Sequence, residues 1–216
     1  MKKKQTYIFG ASGHGKVVAS TLISAGYEVA GFFDDNPDLH GTEFFGLLVL
    51  GGQDAFAKLN RPAAVMAIGN GAIRKKIVEK FSEVDWIRAI HAKAWVDRSV
   101  KVGQGTVIFA GAVIQPDATV GEHCIINTGA TVDHDCRIGD FVHICPGVNL
   151  AGNVTVGKGA WIGIGSQVIQ GVSIGEGSVI GAGSTVIRDV PDGATVVGTP
   201  AKPNRMENGD RRTEDG

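Results

Sequence analysis

The sequence predicts a small Rossmann-like α/β domain followed by a parallel β-helix. The stronger of two signals is a six-residue repeat from 96 to 191, in which each of sixteen hexads begins with Val, Ile or Leu. The fifth residue of each hexad is small or is Val. One hexad cannot bury its aliphatic row alone, so stacked hexads must supply the core. The second signal is a glycine-rich turn between a strand and a helix near the start of the chain.

Three hexads close one triangular turn, so residues eighteen apart should stack at about 4.8 Å. A sandwich of short strands, the alternative, would not keep one phase over sixteen hexads. Glycine recurs at the second position, as in Gly103, Gly121 and Gly139, and we interpret these as corners that need permissive backbone angles. We expect an N-terminal domain over 1–92, a β-helix domain over 93–203, and a polar, disordered tail over 204–216.

Strands and helices alternate in the first 92 residues, which favours a parallel sheet with helices around it. The expected elements are a strand 6–9, a helix 17–25, a strand 28–33, a strand 63–68, a helix 72–82 with a basic face (Arg74, Lys75, Lys76) and a strand 86–90. The segment 36–62 has no clear pattern, although its position suggests that it shapes the pocket of this domain.

Polar and glycine residues follow three of these strands. Gly10-Ala-Ser-Gly-His-Gly lets a phosphate approach a helix N-terminus, and an acid after the second strand suits a ribose or sugar hydroxyl. The spacing G-x-x-G-x-G is not the dinucleotide pattern, so we expect a nucleotide or nucleotide-sugar rather than NAD. The candidate substrate-binding residues are Ser12, Gly13, His14, Asp34, Asp35, Gly69 and Asn70.

One stretch of the repeat carries reactive side chains. His134 is third in its hexad and His143 is sixth in the next, so both should point outward. The acids Asp133 and Asp135 flank His134 and should favour its protonated form, which suits a general base near neutral pH. Gly152 lies eighteen residues after His134, where a bare N–H could stabilise an oxyanion.

The small residues around Ile164 and Ala182 form a groove on a different corner from His134. One triangular prism cannot bring both corners to one ligand, whereas two neighbouring subunits can. We therefore expect a homotrimer with its active site between subunits.

Composition excludes several classes of protein. The net charge is −1 without a basic stripe, so nucleic-acid binding is not expected. No apolar run reaches about 18 residues, so no membrane span is expected. The three cysteines do not form a disulfide pattern, since Cys124 and Cys136 fall at inward positions. We expect a cytoplasmic protein.

The chain resembles the hexapeptide-repeat sugar acetyltransferases, which include the nucleotide-aminosugar N-acetyltransferases of the bacillosamine pathway and the sialic acid O-acetyltransferases. The motifs that carry the resemblance are Gly10-Ala-Ser-Gly-His-Gly, Asp34-Asp35, Ile68-Gly-Asn, Asn127-Thr, Asp133-His-Asp-Cys, Ile138-Gly-Asp-Phe-Val-His, Leu150-Ala-Gly-Asn-Val and Gly198-Thr-Pro-Ala-Lys. They extend over residues 6 to about 203. The combination is specific, whereas the hexads alone would indicate only the wider acyltransferase superfamily.

The resemblance implies a left-handed β-helix, acetyl-CoA as the acetyl donor and no metal. It implies His134 as general base, with Asp135 in the place of a residue that is often Glu. It places acetyl-CoA against His143, Gly152, Ile164 and Ala182, and the acceptor near Asn127. The nucleotide-sugar would contact Ser12, Gly13, His14, Asp34, Asp35 and Gly69. The implied reaction is N-acetylation of a UDP-linked 4-amino sugar for bacterial glycan biosynthesis.

Four alternatives remain open from the sequence. Sialic acid or another sugar could be O-acetylated by the same residues. His123, His134 and His143 could bind zinc, as three histidines do in carbonic anhydrases of this architecture, although their spacings place them at different corners. Cys145, at an outward second position, could act as a nucleophile, although nothing nearby activates it. The chain could also be a non-catalytic glycan-binding scaffold.

Overall fold

The computed structural model describes residues 5–204 and confirms both predicted parts of the fold. The N-terminal part contains a four-stranded parallel sheet in the order Val29–Phe33, Thr6–Phe9, Ala63–Met66 and Asp85–Trp86. Its helices are α1 (Gly13–Ser24), α2 (Gln53–Phe56) and α3 (Gly71–Lys80). Of the tail predicted over 204–216, all but Asn204 lies outside the described residues.

The segment 36–62 is ordered into short elements. It contains a 3-10 helix (Pro37–Leu39), a hairpin of Glu43–Phe44 with Leu47–Leu48, and α2. Phe44 packs edge-on against Phe32 at 5.2 Å. The segment therefore covers the outer strand of the sheet.

The remainder is a solenoid of parallel β-strands with three flat faces. The first face contains Ala89–Ile90, Val107–Ile108, Ile125–Ile126, His143–Ile144, Trp161–Ile162, Val179–Ile180 and Thr195–Val197, with Lys202–Pro203 added antiparallel. The second face contains Trp95–Val96, Val113–Ile114, Thr131–Val132, Asn149–Leu150, Gln167–Val168 and Thr185–Val186. The third face contains Lys101–Val102, Thr119–Val120, Arg137–Ile138, Thr155–Val156 and Ser173–Ile174. We call the corners the first (between first and second faces), the second (between second and third) and the third.

The strands pair with partners eighteen residues away, as the repeat predicts. Ile126, for example, lies between Ile108 and Ile144. These three side chains are fully buried, and the fifth-position residues Cys124 and Ala130 fill the narrow interior beside them. The coil extends beyond the strict repeat, because strands at 89–90 and 195–197 add sides at both ends.

The interpretation of the second-position glycines was wrong. The left-handed residue of the turns from 105 to 183 is the fourth of the hexad, as in Gly147 (φ 65°) and Asn153 (φ 60°), whereas Gly157 at a second position is not left-handed. A Cβ on Gly157 would instead lie 2.5 Å from the backbone nitrogen of Glu176 in the next coil. The second position of the third-corner column, which contains Gly139, Gly157 and Gly175, needs glycine because adjacent coils approach closely there.

The N-terminal domain packs on the first three strands of the first face, Ala89–Ile90, Val107–Ile108 and Ile125–Ile126. The predicted strand 86–90 is in fact two strands, since Asp85–Trp86 belongs to the N-terminal sheet and Ala89–Ile90 begins the solenoid. The outward residues Ala89, Val107 and Ile125 are at most 1% exposed and join the core of the N-terminal domain. α1 therefore begins, at Gly13, beside the β-helix.

Arg74 links the two parts of the chain. The sequence assigned it to a basic face of α3, but its side chain is only 1% exposed. Its guanidinium donates to the carbonyls of Ile68 and Gly69 in the N-terminal domain and of His123 and Phe141 in the β-helix, each at 2.9 Å. The fork of arginine donors suits several carbonyls at once, and this fixes the position of the cleft that precedes α3 relative to the β-helix.

We predict that Gly157→Ala destabilises the β-helix by about 1–3 kcal/mol, because the added methyl group overpacks the backbone of the next coil. The measurement is urea unfolding followed by far-ultraviolet circular dichroism. Gly147→Asn is the matched control, since nothing lies within 4 Å of a Cβ there and Asn153 already adopts the same backbone angle. An equal loss in both variants would contradict the distinction between the two glycine positions.

Candidate active site

The second corner carries the histidine that the sequence singled out. His134 Nδ1 lies 2.8 Å from Asp135 Oδ2, and the side chain is 55% exposed. The hydrogen bond that His134 Nδ1–H donates to Asp135 raises the pKa of His134 above its usual value, and the charge of Asp133 acts in the same direction. Because the carboxylate binds Nδ1, Nε2 is left to accept a proton from a ligand.

The backbone of Asp135 explains how the carboxylate reaches the ring. Asp135 occupies the left-handed fourth position of its hexad with φ 59°, a conformation that Asp and Asn tolerate better than most residues. Asn153 occupies the same position one coil later. Asp117 occupies it one coil earlier with φ 61°, so the turn accepts either residue, and what distinguishes the His134 coil is that its carboxylate lies beside an imidazole.

Gly152 lies directly against His134, as the eighteen-residue spacing predicts. A Cβ built on Gly152 would come within 2.5 Å of His134 Cε1 and 2.6 Å of Nε2. No acceptor among residues 5–204 is paired with the Gly152 N–H. A donor and a raised-pKa imidazole therefore meet at one point on the surface.

The first corner holds the other predicted residues of the β-helix. Asn127 starts this corner in one coil, and Ile164 and Ala182 follow it in later coils. Ile164 is 56% exposed, and nothing lies within 4 Å of a Cβ on Gly165 or Gly183 beside it. We call this exposed strip of the first corner, made of Ile164, Gly165, Ala182 and Gly183, the groove. His134 lies on another corner of the same chain, as predicted.

His143 does not lie at the surface. It points away from the β-helix core, but the N-terminal domain covers it, so that it is 7% exposed. Its ring lies 4.4 Å from Trp161, and Asn127 Nδ2 lies 3.2 Å from its Nε2. His14, from the first turn of α1, lies 6.3 Å away on the other side of the domain boundary.

Three histidines at the boundary between the two domains have lowered pKa values, whereas the pKa of His134 is raised. Burial, together with the charge of Arg74, lowers the pKa of His14 and His123 to about 4 and that of His143 to about 3. These rings are therefore neutral near pH 7. Burial also lowers the pKa of Arg74, to about 10, which leaves it protonated.

A cleft of about 260 Å³ lies at the carboxyl ends of the N-terminal strands. Four predicted residues line it, namely Ser12, Asp34, Asp35 and Gly69. This is the edge at which open α/β sheets bind ligands. Gly10 has φ 113° and a Cβ there would lie 2.7 Å from the Ala67 carbonyl oxygen, so this glycine shapes the turn itself.

Several polar side chains of the cleft already have partners in the chain. Asp34 accepts from the N–H groups of Ala11 (2.7 Å) and Asn36 (2.9 Å), and Asp35 accepts from the N–H of Gln53 (2.9 Å). Asn70 caps α3. The hydroxyl of Ser12 makes no cap bond on α1 and is exposed. Ser12 and the first amides of α1 are thus the groups best placed to receive a ligand phosphate.

His14 and Gly13 belong to α1, because the helix begins four residues before its predicted start at 17. His14 packs edge-on against Phe109 of the β-helix at 5.4 Å and does not line the cleft. His14 therefore lies between the cleft, whose helix it belongs to, and His143 of the β-helix.

The zinc site and the Cys145 nucleophile receive no geometric support. His123 lies at the third corner, stacked on Phe141 at 5.2 Å, and within residues 5–204 no three His, Cys, Asp or Glu side chains gather in a metal-binding arrangement. Cys145 is 5% exposed rather than outward, and burial raises its thiol pKa to about 12.

No helix in the described part of the chain has the length and hydrophobicity to span a bilayer.

Arg74 and Trp161 were not among the predicted site residues. One signal could have found the covered face. On the first face the sixth residue of each hexad is apolar or has an aromatic ring, as in Val107, Ile125 and Trp161. On the third face the same position is occupied by Lys101, Thr119 and Arg137. That difference indicates which side of the prism another part of the chain covers.

Two families match this chain by sequence. Residues 5–81 match the family described as PglD N-terminal domain, and residues 99–134 and 153–188 match bacterial transferase hexapeptide (six repeats). Matches therefore cover both the cleft-bearing domain and the coil with His134.

Solved structures match nearly the whole chain. The acetyltransferase domain of PglB from Neisseria gonorrhoeae is 36% identical with a TM-score of 0.88, over 94% of this chain and all of that one. PerB from Caulobacter crescentus, solved with CoA and GDP-perosamine, is 39% identical with a TM-score of 0.86, over 93% and 97% of the two chains.

Curated relatives match over part of their length. The UDP-N-acetylbacillosamine N-acetyltransferase of Bacillus subtilis is 42% identical over 117 residues, which is 50% of this chain and 52% of that protein. This chain spans between a fifth and about half of the curated relatives that it matches.

We predict that the free energy of unfolding falls as the pH is lowered from about 6.5 toward 4. The unfolded chain binds protons on His14, His123 and His143 near pH 6.5, whereas the folded chain does so only near pH 3 to 4. The combined loss is on the order of several kcal/mol. Urea unfolding at pH 7.5, 6 and 5 measures it.

His14→Phe should flatten this pH dependence, because it removes one of the three groups. His91→Gln, a change at a partly exposed ring, should leave it unchanged. A pH dependence that is identical in wild type and His14→Phe would contradict the assignment.

Proposed function

Because this chain belongs to the hexapeptide-repeat sugar acetyltransferase family, we propose that it transfers the acetyl group of acetyl-CoA to the amino group of a nucleotide-linked amino sugar. The observation that carries the proposal is the contact of His134 with both Asp135 and Gly152 on the second corner. A general base and an oxyanion donor at one point are what acyl transfer to an amine requires.

His134 takes the proton in the proposed reaction. The neutral amine attacks the thioester carbonyl, and the carbon–sulfur bond breaks to release the thiolate. His134 Nε2 accepts the proton that the nitrogen loses and returns it to the thiolate, so no acetyl-enzyme forms. Asp135 holds the ring and stabilises its protonated form. General base catalysis of this kind contributes about 10²–10⁴-fold to a rate.

Gly152 has two roles in this proposal. Its N–H donates to the carbonyl oxygen as negative charge develops there. The missing side chain also makes room for the ring of His134, since a Cβ would overlap it. Placing two bound substrates against these groups supplies a further share of the rate.

The first-corner groove suits acetyl-CoA, which provides an acetyl group already activated as a thioester. Ile164 offers exposed apolar surface, Ala182 lies one coil further along, and Gly165 and Gly183 leave the groove open. His143 borders this corner beneath Asn127. We assign the pantetheine arm to this groove.

The nucleotide belongs in the N-terminal cleft. Ser12, Gly13 and Gly69 surround the open N-terminus of α1, where backbone amides suit a diphosphate. Asp34, Asp35 and Asn70 shape the loops of the cleft, and His14 lies near His143, which contacts Asn127. The Bacillus relative favours a UDP-linked 4-amino sugar of bacillosamine type, for bacterial glycan biosynthesis.

Two copies of the chain are needed to complete this site. His134 and Gly152 lie on the second corner, and the groove with Ile164 and Ala182 lies on the first. We propose a homotrimer in which the second corner of one copy faces the first corner of the next.

We predict that His134→Ala lowers kcat by about 10²–10⁴-fold and leaves acetyl-CoA binding near that of the wild type, because the ring acts on the acceptor amine. The assay follows release of free CoA thiol with a panel of UDP- and GDP-linked amino sugars and free sialic acid. His91→Gln is the matched control. Near-normal turnover of His134→Ala would contradict the assignment of His134 as the general base. Turnover of the wild type with sialic acid alone would show that the enzyme acetylates a hydroxyl oxygen and not an amine.

We predict that Asp135→Asn moves the acid limb of the pH–rate profile to lower pH and lowers the maximal rate. The carboxylate raises the pKa of His134, the base acts only when neutral, and losing the charge lowers the pKa at which activity begins. Asn keeps the left-handed turn, as Asn153 does one coil later. An acid limb that stays in place would show that Asp135 does not tune this base.

A further inference from the structure

We infer that His143 is a positioning residue that orients the Asn127 amide toward the acyl acceptor, with its ring held as the neutral Nδ1–H tautomer. The identity of the group that Asn127 binds rests on the proposed function, whereas the tautomer and the orientation rest on hydrogen bonds within the chain.

The orientation of the Asn127 amide is fixed by its neighbour. The backbone N–H of Thr128 donates to Asn127 Oδ1 at 2.8 Å, so the oxygen must be on that side. The amide nitrogen then faces His143 Nε2 at 3.2 Å. An amide NH₂ can only donate, so Nε2 of His143 must accept and carries no proton.

The ring proton of His143 is therefore on Nδ1. The ring is neutral because it is 7% exposed and lies near the Arg74 guanidinium and the His14 ring. Nδ1 is buried and has no partner in strict hydrogen-bond geometry within residues 5–204, and the Gly69 backbone is the acceptor that interacts with the ring. The strand register holds the ring between Ile125 and Trp161, and Trp161 contacts it at 4.4 Å. The lone pair that a general base would need is already used by Asn127.

This hydrogen bond leaves Asn127 with one free amide hydrogen in a fixed direction. Asn127 is half-buried at the first corner, in the same column as Cys145 and Gly163, so it lies at the lower end of the groove beside Ile164. Thr128 fixes the oxygen of the Asn127 amide and His143 fixes its nitrogen, so the remaining N–H is preorganised to donate to an oxygen atom of a ligand. We assign that oxygen to the bound acceptor sugar.

The first test is the tautomer itself, read from long-range ¹H–¹⁵N spectra of ¹⁵N-histidine-labelled protein. His143→Gln identifies the His143 signals by their loss, and His91→Gln is the matched control. We expect the Nδ1–H pattern, unchanged between pH 8 and 6. In Asn127→Asp the carboxylate requires a donor, so the pattern should change to Nε2–H. An Nε2–H or protonated His143 in the wild type would overturn the inference.

The second test is kinetic. His143→Leu should lower kcat/KM for the acceptor by about 10²-fold, as expected when a reacting group is misplaced, with little change in the KM for acetyl-CoA. His143→Gln should recover part of the loss, since its Oε1 can accept from Asn127. The double variant with Asn127→Ala should be no worse than Asn127→Ala alone, because His143 acts only through the Asn127 amide.

Additive losses, or wild-type kinetics in His143→Leu, would overturn the inference. Circular dichroism and thermal unfolding separate a folding defect from either result. If the wild type shows no acetyl transfer at all, the proposed function fails, and the tautomer measurement still decides the role of His143.

Discussion

The stacking of residues eighteen apart is the constraint on which the other features of this protein depend. It aligns the aliphatic first positions into a core and leaves no room for side chains where successive coils approach, as at Gly157. The same register places Gly152 against His134 and extends the groove from Ile164 to Ala182. It also turns the outward residues of the first face into the platform on which the N-terminal domain packs.

Arg74 creates a second constraint on this frame. Its buried guanidinium ties carbonyls of both domains together and, with burial, keeps the nearby histidines neutral. His134 is exposed, carries two acidic neighbours and has a raised pKa. One residue type thus serves two purposes, since solvent and local charge decide whether an imidazole gains a proton or only accepts a hydrogen bond.

Sequence reasoning predicted what the period controls and missed what tertiary packing controls. The β-helix and the contact of His134 with Gly152 follow from the hexad period, whereas the N-terminal domain follows from its alternating strands and helices and the contact with Asp135 from adjacency in the chain. The exposure of His143 and the basic face containing Arg74 were predicted wrongly, because a phase shows which residues leave the coil and not what covers them. The sheet-edge cleft was predicted, but its acids and Asn70 are largely occupied by backbone amides, as such residues often are at helix and loop starts.

The central claim is that each active site combines the second corner of one copy with the first corner of another. The direct measurement is acetyl-transfer activity in mixed oligomers of His134→Ala and Ala182→Trp, whose large side chain fills the groove, prepared by co-expression with two affinity tags. If the site lies between copies, mixed trimers selected through both tags should recover activity at about a third of their sites, because one site in each then combines an intact second corner from Ala182→Trp with an intact first corner from His134→Ala. No recovery in mixed oligomers, or a monomeric mass by sedimentation of the wild type, would contradict the account.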